Sequence, residues 1–322
     1  MDQSAEIIAD SIGPNGQRLT TMLVNHYRFI HPEVLRHRLL NFNVSSSRAV
    51  PYEKQEEQVE TDPSMPLQWL KKHKGMQATE VFKPSINGPG VDELDRIWLD
   101  ARDSAVKYAK ELDLKGVSKQ LTNRLLEPWV NTRMVVTATE WENFFKLRCP
   151  PSMEIDLKFP AEIHIQDLAI KMKKAMIESE PEHLKEGGLH LPFITDVDKH
   201  ILTGKHSSPN IDPSVTIYRA QGDMIKLSAA RCARTSYGSN TGRSIDAEME
   251  LADNLITDCH WSPFEHQGKA LYLELSEDLN RAYKQLPDGC EIKITNKHNM
   301  FIKAVWSRNF KGWVQARTLF EK

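Results

Sequence analysis

The 322-residue chain carries 42 Lys and Arg against 44 Asp and Glu, a net charge of −2, with 40% hydrophobic and 8% aromatic residues. That is globular composition, enough for one large or two smaller domains, and the charge balance argues against a nucleic-acid binder working through bulk charge. Four cysteines without CxxC spacing are too few for a disulfide scaffold and make reduced, cytoplasmic thiols the expectation. No apolar run reaches the roughly 18–20 residues of a membrane span, and the acidic start MDQSAEIIADS lacks a secretory-leader pattern.

The first expected element is a strand over Arg18 to Phe29, rich in β-branched and aromatic residues. Pro32 suits the first turn of a helix, HPEVLRHRLLNF, and the polar stretch from Val44 to Met65 reads as a long loop. Leu94, Ile97, Trp98, Ala101, Ala105, Tyr108 and Leu112 repeat at helical steps and predict a helix over Asp92–Leu112. A second helix over Val117–Glu127 stops at Pro128. RMVVTA reads as a strand, and Thr139 with Glu142 as a capping box opening a short helix. A further helix is expected near Ala161–Ile177. From Glu178 to Pro213 the pattern fades into a linker or insertion whose histidines, His190, His200 and His206, read as solvated. SVTIYRA then reads as a strand, GDMIKLSAARCARTSY and DAEMELADNLITD as helices, ALYLEL and EIKITNK as strands, and NFKGWVQARTLF as a terminal helix. Mixing without regular βαβ alternation predicts an α+β fold. No dinucleotide or P-loop glycine motif and no metal-ligand spacing is present.

Chemistry concentrates between Arg28 and Arg48. On the predicted helix Leu35, Leu39 and Phe42 form one buried stripe, with Arg36 and Arg38 flanking it and His37 pointing away. Guanidiniums on such a rim suit bidentate phosphate binding, and Ser45, Ser46, Ser47 and Arg48 add hydroxyls and N–H groups for a phosphate cradle. The same residues read equally as a solvated basic helix and a serine-rich loop.

RHRLLNFNVSSSRAVPY resembles the signature of the flavin-dependent thymidylate synthase family: Arg-His-Arg, seven intervening residues, a serine, and an arginine two further on. Arg36, His37, Arg38, Ser46 and Arg48 fall in register. TEWENFFKLRC resembles the family's later helix, placing Asn143, Leu147 and Arg148, and FPAEIHIQ keeps the Glu162–Ile163 pair of its next motif. ARCARTSYG and HWSPFEH resemble the family's Ser-Tyr-Gly segment and Pro-Phe-Glu-His loop. In most members these two precede the Arg-His-Arg segment; here they follow it, so the chain resembles a permuted member. Val44, Ala49 and Glu33 stand where the family pattern has glutamate, tyrosine and glutamine.

The resemblance implies a mixed, mainly antiparallel sheet packed with helices. It implies one intertwined catalytic domain made from segments 1–179 and 214–322, joined through 180–213. It also implies an FAD-dependent, NADPH-oxidising methyltransferase that makes dTMP from dUMP with methylenetetrahydrofolate, as a homo-oligomer, a tetramer in the family, without membrane or nucleic-acid partners. Arg36, His37, Arg38, Asn143, His260, Ser262, Glu265 and His266 would contact FAD. Arg36, Ser46, Ser47, Arg48, Arg124 and Arg148 would bind dUMP. Catalysis would fall to Arg148 and Ser46, the latter not as a nucleophile, since no base adjoins it. Arg124 reads as well as an i,i+3 partner of Glu127; Gln315 and Arg317 are placed to replace the missing glutamine. The alternatives are methylation or hydroxymethylation of another deoxypyrimidine monophosphate, and a non-catalytic nucleotide or nucleic-acid binder.

Overall fold

The computed structural model describes residues 2–83, 90–237, 239–272, 286–297 and 300–321. Its centre is an antiparallel-rich sheet with strand order β3-β4-β2-β1-β5. Strands β1 (Ser4–Ile12), β2 (Arg18–Tyr27), β3 (Asn41–Val44) and β4 (Asn131–Ala138) pair antiparallel, and short β5 (Glu182–His183) joins β1 in parallel. β2 and β4 match their expected positions; β1 is an addition, its charged residues having hidden the alternation.

Period two sends Met22, Val24, Met134 and Val136 to one face, where they pack on α5 (Glu142–Arg148) and α6 (Ile163–Glu178) through Phe144, Ile165, Leu168 and Met172. Glu162 starts α6, its carboxylate accepting from the N–H groups of His164 and Ile165. The opposite face receives α8 (Pro213–Ala233) and the Pro-Phe-Glu-His loop. Among the described residues two small three-stranded sheets lie beside the central one: one orders Phe310–Lys311 (β10), Met300–Ser307 (β9) and Cys290–Lys297 (β8), the other Trp313–Gln315 (β11), Gly268–Ala270 (β7) and Leu189–His190 (β6). The fold is therefore α+β.

Several expectations are corrected. The helix over 31–42 is a single turn, α1 (His31–Val34), after which the chain enters β3; Leu35 and Leu39 are 42% and 43% exposed, so the buried stripe does not exist. The stretch 44–65 contains α2 (Tyr52–Thr61), whose Tyr52 and Val59 are buried against α3 (Val91–Leu114). Helix α3 exists, but its buried line runs through Val106 and Ala109, and Ile97 and Tyr108 face outward. The helix expected to end at Pro128 is α4 (Lys119–Thr122) followed by a 3-10 segment, Asn123–Trp129, that includes the proline. Thr139 does not cap α5; its hydroxyl accepts from the Lys311 N–H.

Segment 180–213, read as a linker or insertion, carries regular elements. It holds β5, β6 (Leu189–His190) and α7 (Asp196–His206), the last opened by a Thr195–Asp198 capping box. SVTIYRA is helix, not strand, because Asp212 caps and Pro213 starts α8, and Thr216, Ala220, Met224 and Leu227 then fall on one buried line. The helix read as DAEMELADNLITD is α9 (Ile245–Thr257), but the terminal helix is only half helical: β10 (Phe310–Lys311) and β11 (Trp313–Gln315) precede α10 (Ala316–Phe320). β7 (Gly268–Ala270), β8 (Cys290–Lys297) and β9 (Met300–Ser307) include the start of ALYLEL and all of EIKITNK; 273–275 lie outside the described residues. Gly268 lets β7 lie close on β2, since a Cβ there would sit 2.6 Å from Leu19 Cδ2. Among the described residues no helix is long and apolar enough to cross a membrane.

Candidate functional site

Arg36, His37 and Arg38 ride on turns between α1 and β3, held by His37 N–H to Val34 O (3.3 Å) and Leu40 N–H to His37 O (3.0 Å). Buried Leu40 and Asn41 anchor the far end. The guanidiniums of Arg36 and Arg38 are exposed and have no hydrogen-bonded or ion-pair partner among the described residues. His37 lies edge-on to Phe144 at 4.9 Å, and its Nε2 accepts from Arg148 Nε at 3.1 Å. Burial, aided by the Arg148 charge, holds His37 below its usual pKa, so the ring is neutral and can accept that bond. Burial likewise draws Arg148 down, with Glu33 opposing. Arg36, His37 and Arg38 face Glu140, Asn143 and Phe144 across a cleft of about 110 Å³. The first motif and the α5 motif thus meet.

The serine loop forms a second cleft, of about 410 Å³. It continues β3: Ser45 N–H donates to Arg133 O (2.8 Å), and Arg133 N–H to Ser45 Oγ (3.2 Å). Ser46 N–H donates to Ser236 Oγ at 2.8 Å, joining the Ser-Tyr-Gly segment to the loop across 190 residues of sequence; Gly238 lies outside the described residues. Ser46 Oγ accepts from Arg48 N–H (3.2 Å), and among the described residues no imidazole or carboxylate is hydrogen-bonded to it. Ser47 Oγ donates to Glu127, which also holds Arg124 (2.6 Å) and Arg28 (3.6 Å). Arg124 therefore adopts the i,i+3 pairing. Arg48 is exposed and lies outside the cleft lining. Arg28, Lys54 and Arg133 face the cleft with Glu127 as its acid, giving a basic surplus. Lys54 and Arg133 fall in none of the motifs, and Arg28 only opens the basic segment that leads to them. Alternation along β4 could have flagged Arg133 as opposite in face to Met134.

The Pro-Phe-Glu-His loop is a 3-10 turn, Ser262–Glu265, seated on buried Phe264. Ser262 Oγ donates to Asn43 Oδ1 at 3.4 Å, next to the serine loop. His260 is exposed, with its N–H bonded to Leu255 O. The other two expected residues are turned inward. Glu265 pairs with Arg317 at 2.5 Å, and the Gln315 amide donates to Glu265 O, so Gln315 and Arg317 brace this loop. His266 is fully buried, its Nδ1 2.8 Å from Thr137 Oγ1. From there the contacts run Thr137–Thr21 (2.8 Å), Thr21–His190 Nε2 (2.8 Å) and His190 Nδ1–Ser11 (2.9 Å). Burial pushes His190 and His266 down to about 3. His190 is thus an interior, neutral residue, not a solvated one. Cys149 is buried against Met153, and burial raises its pKa, which suits an inert thiol.

Residues 18–182 match the family described as thymidylate synthase complementing protein. That range holds the Arg-His-Arg segment, the serine loop and the Asn143–Arg148 helix; the Ser-Tyr-Gly and Pro-Phe-Glu-His segments lie beyond it. Among solved structures the chain is similar to a UMP/dUMP methylase, PolB, from Streptomyces cacaoi. With 5-Br UMP bound, the identity is 16% and the TM-score 0.41, covering 55% of this chain and 89% of that one. With 5-Br dUMP bound the figures are 15% and 0.40, covering 55% and 91%. No curated protein sequence matches. With the matched span taking in half the chain and its two principal motifs meeting across one cleft, the chain belongs to the thymidylate synthase complementing protein family.

Proposed function

We propose that this protein is a flavin-dependent thymidylate synthase that converts dUMP to dTMP. The one-carbon unit would come from methylenetetrahydrofolate, with FAD as hydride carrier and NADPH as its reductant. The observation that carries the reading is the Ser46–Ser236 hydrogen bond, which closes a basic, serine-lined cleft from two distant motifs. Main-chain N–H groups, hydroxyls and guanidiniums around one concavity suit a phosphate monoester, and about 410 Å³ falls within the roughly 300–1,000 Å³ of small-molecule pockets.

The residues of the neighbouring cleft suit a flavin dinucleotide. Two guanidiniums without carboxylate partners among the described residues, a neutral imidazole and the Asn143 amide border it, with Glu140, paired to Lys311, as its acid. Bound there, FAD would supply the hydride that completes the methyl group. Arg36 and Arg38 would hold its phosphates, and His37 would keep Arg148 oriented through Nε. Arg148, half-buried and charged, would stabilise negative charge developing on the pyrimidine. Space for about 110 Å³ is well under a dinucleotide pocket, so a second copy of the chain would supply the remaining wall, in keeping with the family's tetramer. A cytoplasmic setting fits the unpaired cysteines.

A second reading, methylation or hydroxymethylation of another deoxypyrimidine monophosphate, is favoured by Ala49. It lines the serine cleft where the family pattern has a tyrosine. The test is the visible spectrum of the purified protein with and without dUMP, followed by mass spectrometry of products from dUMP and dCMP with methylenetetrahydrofolate and NADPH. Flavin absorbance and dTMP are expected. A colourless protein that cannot be reconstituted with FAD and yields no dTMP overturns the proposal; product from dCMP alone selects the second reading.

A further inference from the structure

Arg133 belongs to none of the recognised motifs, yet it occupies the hinge of the serine cleft. Its main chain is bonded in both directions to Ser45, the first residue of the loop. Strand alternation puts its side chain on the face opposite the Met134–Val136 core, lining the cleft together with Ser46, Ser47 and Ser236.

The guanidinium is half-buried and incompletely satisfied. Nη2 donates to Asn240 Oδ1 at 3.1 Å, while Nη1 is buried without a hydrogen-bond partner. Asn240 is itself buried, and its Nδ2 donates to Arg231 O at 2.8 Å. That bond fixes the amide, so its oxygen must face Arg133. Arg18, Arg28, Arg231 and Arg234, comparably sheltered, each face a carboxylate. Arg133 has only the more distant field of Glu6, and no carboxylate ion-pairs with it among the described residues. A sheltered cation without a counter-charge is costly, and a fold that positions one with a buried amide prepares it for an anion from outside.

Arg133 also borders a shallower groove shared with Glu6, Leu23 and Asn25. Glu6 repels an anion on that side. On the other side stand hydroxyls, Arg28 and Lys54. We propose that Arg133, held by Asn240, is a phosphate-binding residue for the nucleoside monophosphate that enters the serine cleft. This rests on the reading of that cleft as the nucleotide site.

The test measures binding of dUMP, deoxyuridine and inorganic phosphate to the full-length protein, alongside thermal denaturation. Wild-type preference for dUMP over deoxyuridine tests the cleft reading itself; equal affinity would sink that reading and this one together. Given the preference, Arg133→Gln is expected to weaken dUMP by roughly 10–100-fold and leave deoxyuridine unchanged, as for loss of a charge-assisted hydrogen bond. Arg133→Lys should restore part of it. Asn240→Asp places a carboxylate against the guanidinium and should weaken dUMP and phosphate; because it also gives up the Nδ2–Arg231 O bond, the melting temperature should fall. It decides the matter if Arg133→Gln fails to fold. Unchanged dUMP affinity in a folded Arg133→Gln, or in Asn240→Asp, overturns the role of Arg133 and leaves the cleft reading standing. Equal losses for dUMP and deoxyuridine overturn it too, by marking Arg133 as a scaffold residue.

Discussion

At Arg148 one nitrogen, Nε, is committed to His37, and the rest of the guanidinium has no described partner. Arg148→Ala is therefore expected to lower kcat by about 10²–10³-fold, the usual loss on removing a donor aimed at developing charge. Its stability cost should stay near 1 kcal/mol, that of one partly buried hydrogen bond. Turnover and melting temperature measured on the same preparation check both halves. The arginines of the motifs were legible because their spacing is a covalent fact that survives any local conformation. Their setting was not. Leu35 and Leu39 imitate a helical stripe, but buried Asn41 pairs opposite Thr137 on β4 and draws the chain into a strand instead. Arg133 was illegible for a related reason: a strand pattern gives its face, not whether a carboxylate on that face comes close enough to pair with it.

Among the elements, α7 and α8 show how local signals are overridden. The β-branched run of SVTIYRA favours a strand, yet Asp212 and Pro213 begin a helix, and four turns of buried contacts extend it. Their junction is the Asp198–Arg231 pair, bidentate at 2.6 and 2.9 Å and nearly solvent-free. Asp198 also belongs to the capping box of α7. Removing the carboxylate as Asp198→Asn leaves a buried guanidinium unbalanced, and a loss of about 3–5 kcal/mol is expected in denaturant unfolding. The Arg231 hydrogen bonds hold Asp198 down to about 2. Its contribution is thus present above the unfolded carboxylate value and disappears as pH falls toward 2. No sequence pattern announced this pair, because its partners are 33 residues apart on different helices.

Over the whole molecule, the order of the motifs along the chain matters less than the sheet on which they converge. The Ser11–His190–Thr21–Thr137–His266 chain runs through that sheet from β1 to the Pro-Phe-Glu-His loop. Both histidines titrate near 3 when folded and near 6.5 when unfolded. Between those values the unfolded state binds more protons, so stability is complete above about pH 6.5 and declines as pH falls toward 3. Melting temperature against pH should show this slope, and His190→Gln should flatten it; an unaltered slope would assign the acid sensitivity elsewhere. Composition and alternation made the α+β class readable. The polar chain was hidden, because nothing in a lone histidine tells whether water or a threonine will meet it.

The bonds that stitch the two ends of the sequence together also bear on what a protease would leave. Residues 207–210, between α7 and α8, are exposed and lie at none of the bonds Asn43–Cys232, Ser46–Ser236 or Thr137–His266. A single cut there should give two fragments that separate on a denaturing gel but travel as one particle through a native sizing column, with the basic cleft still assembled.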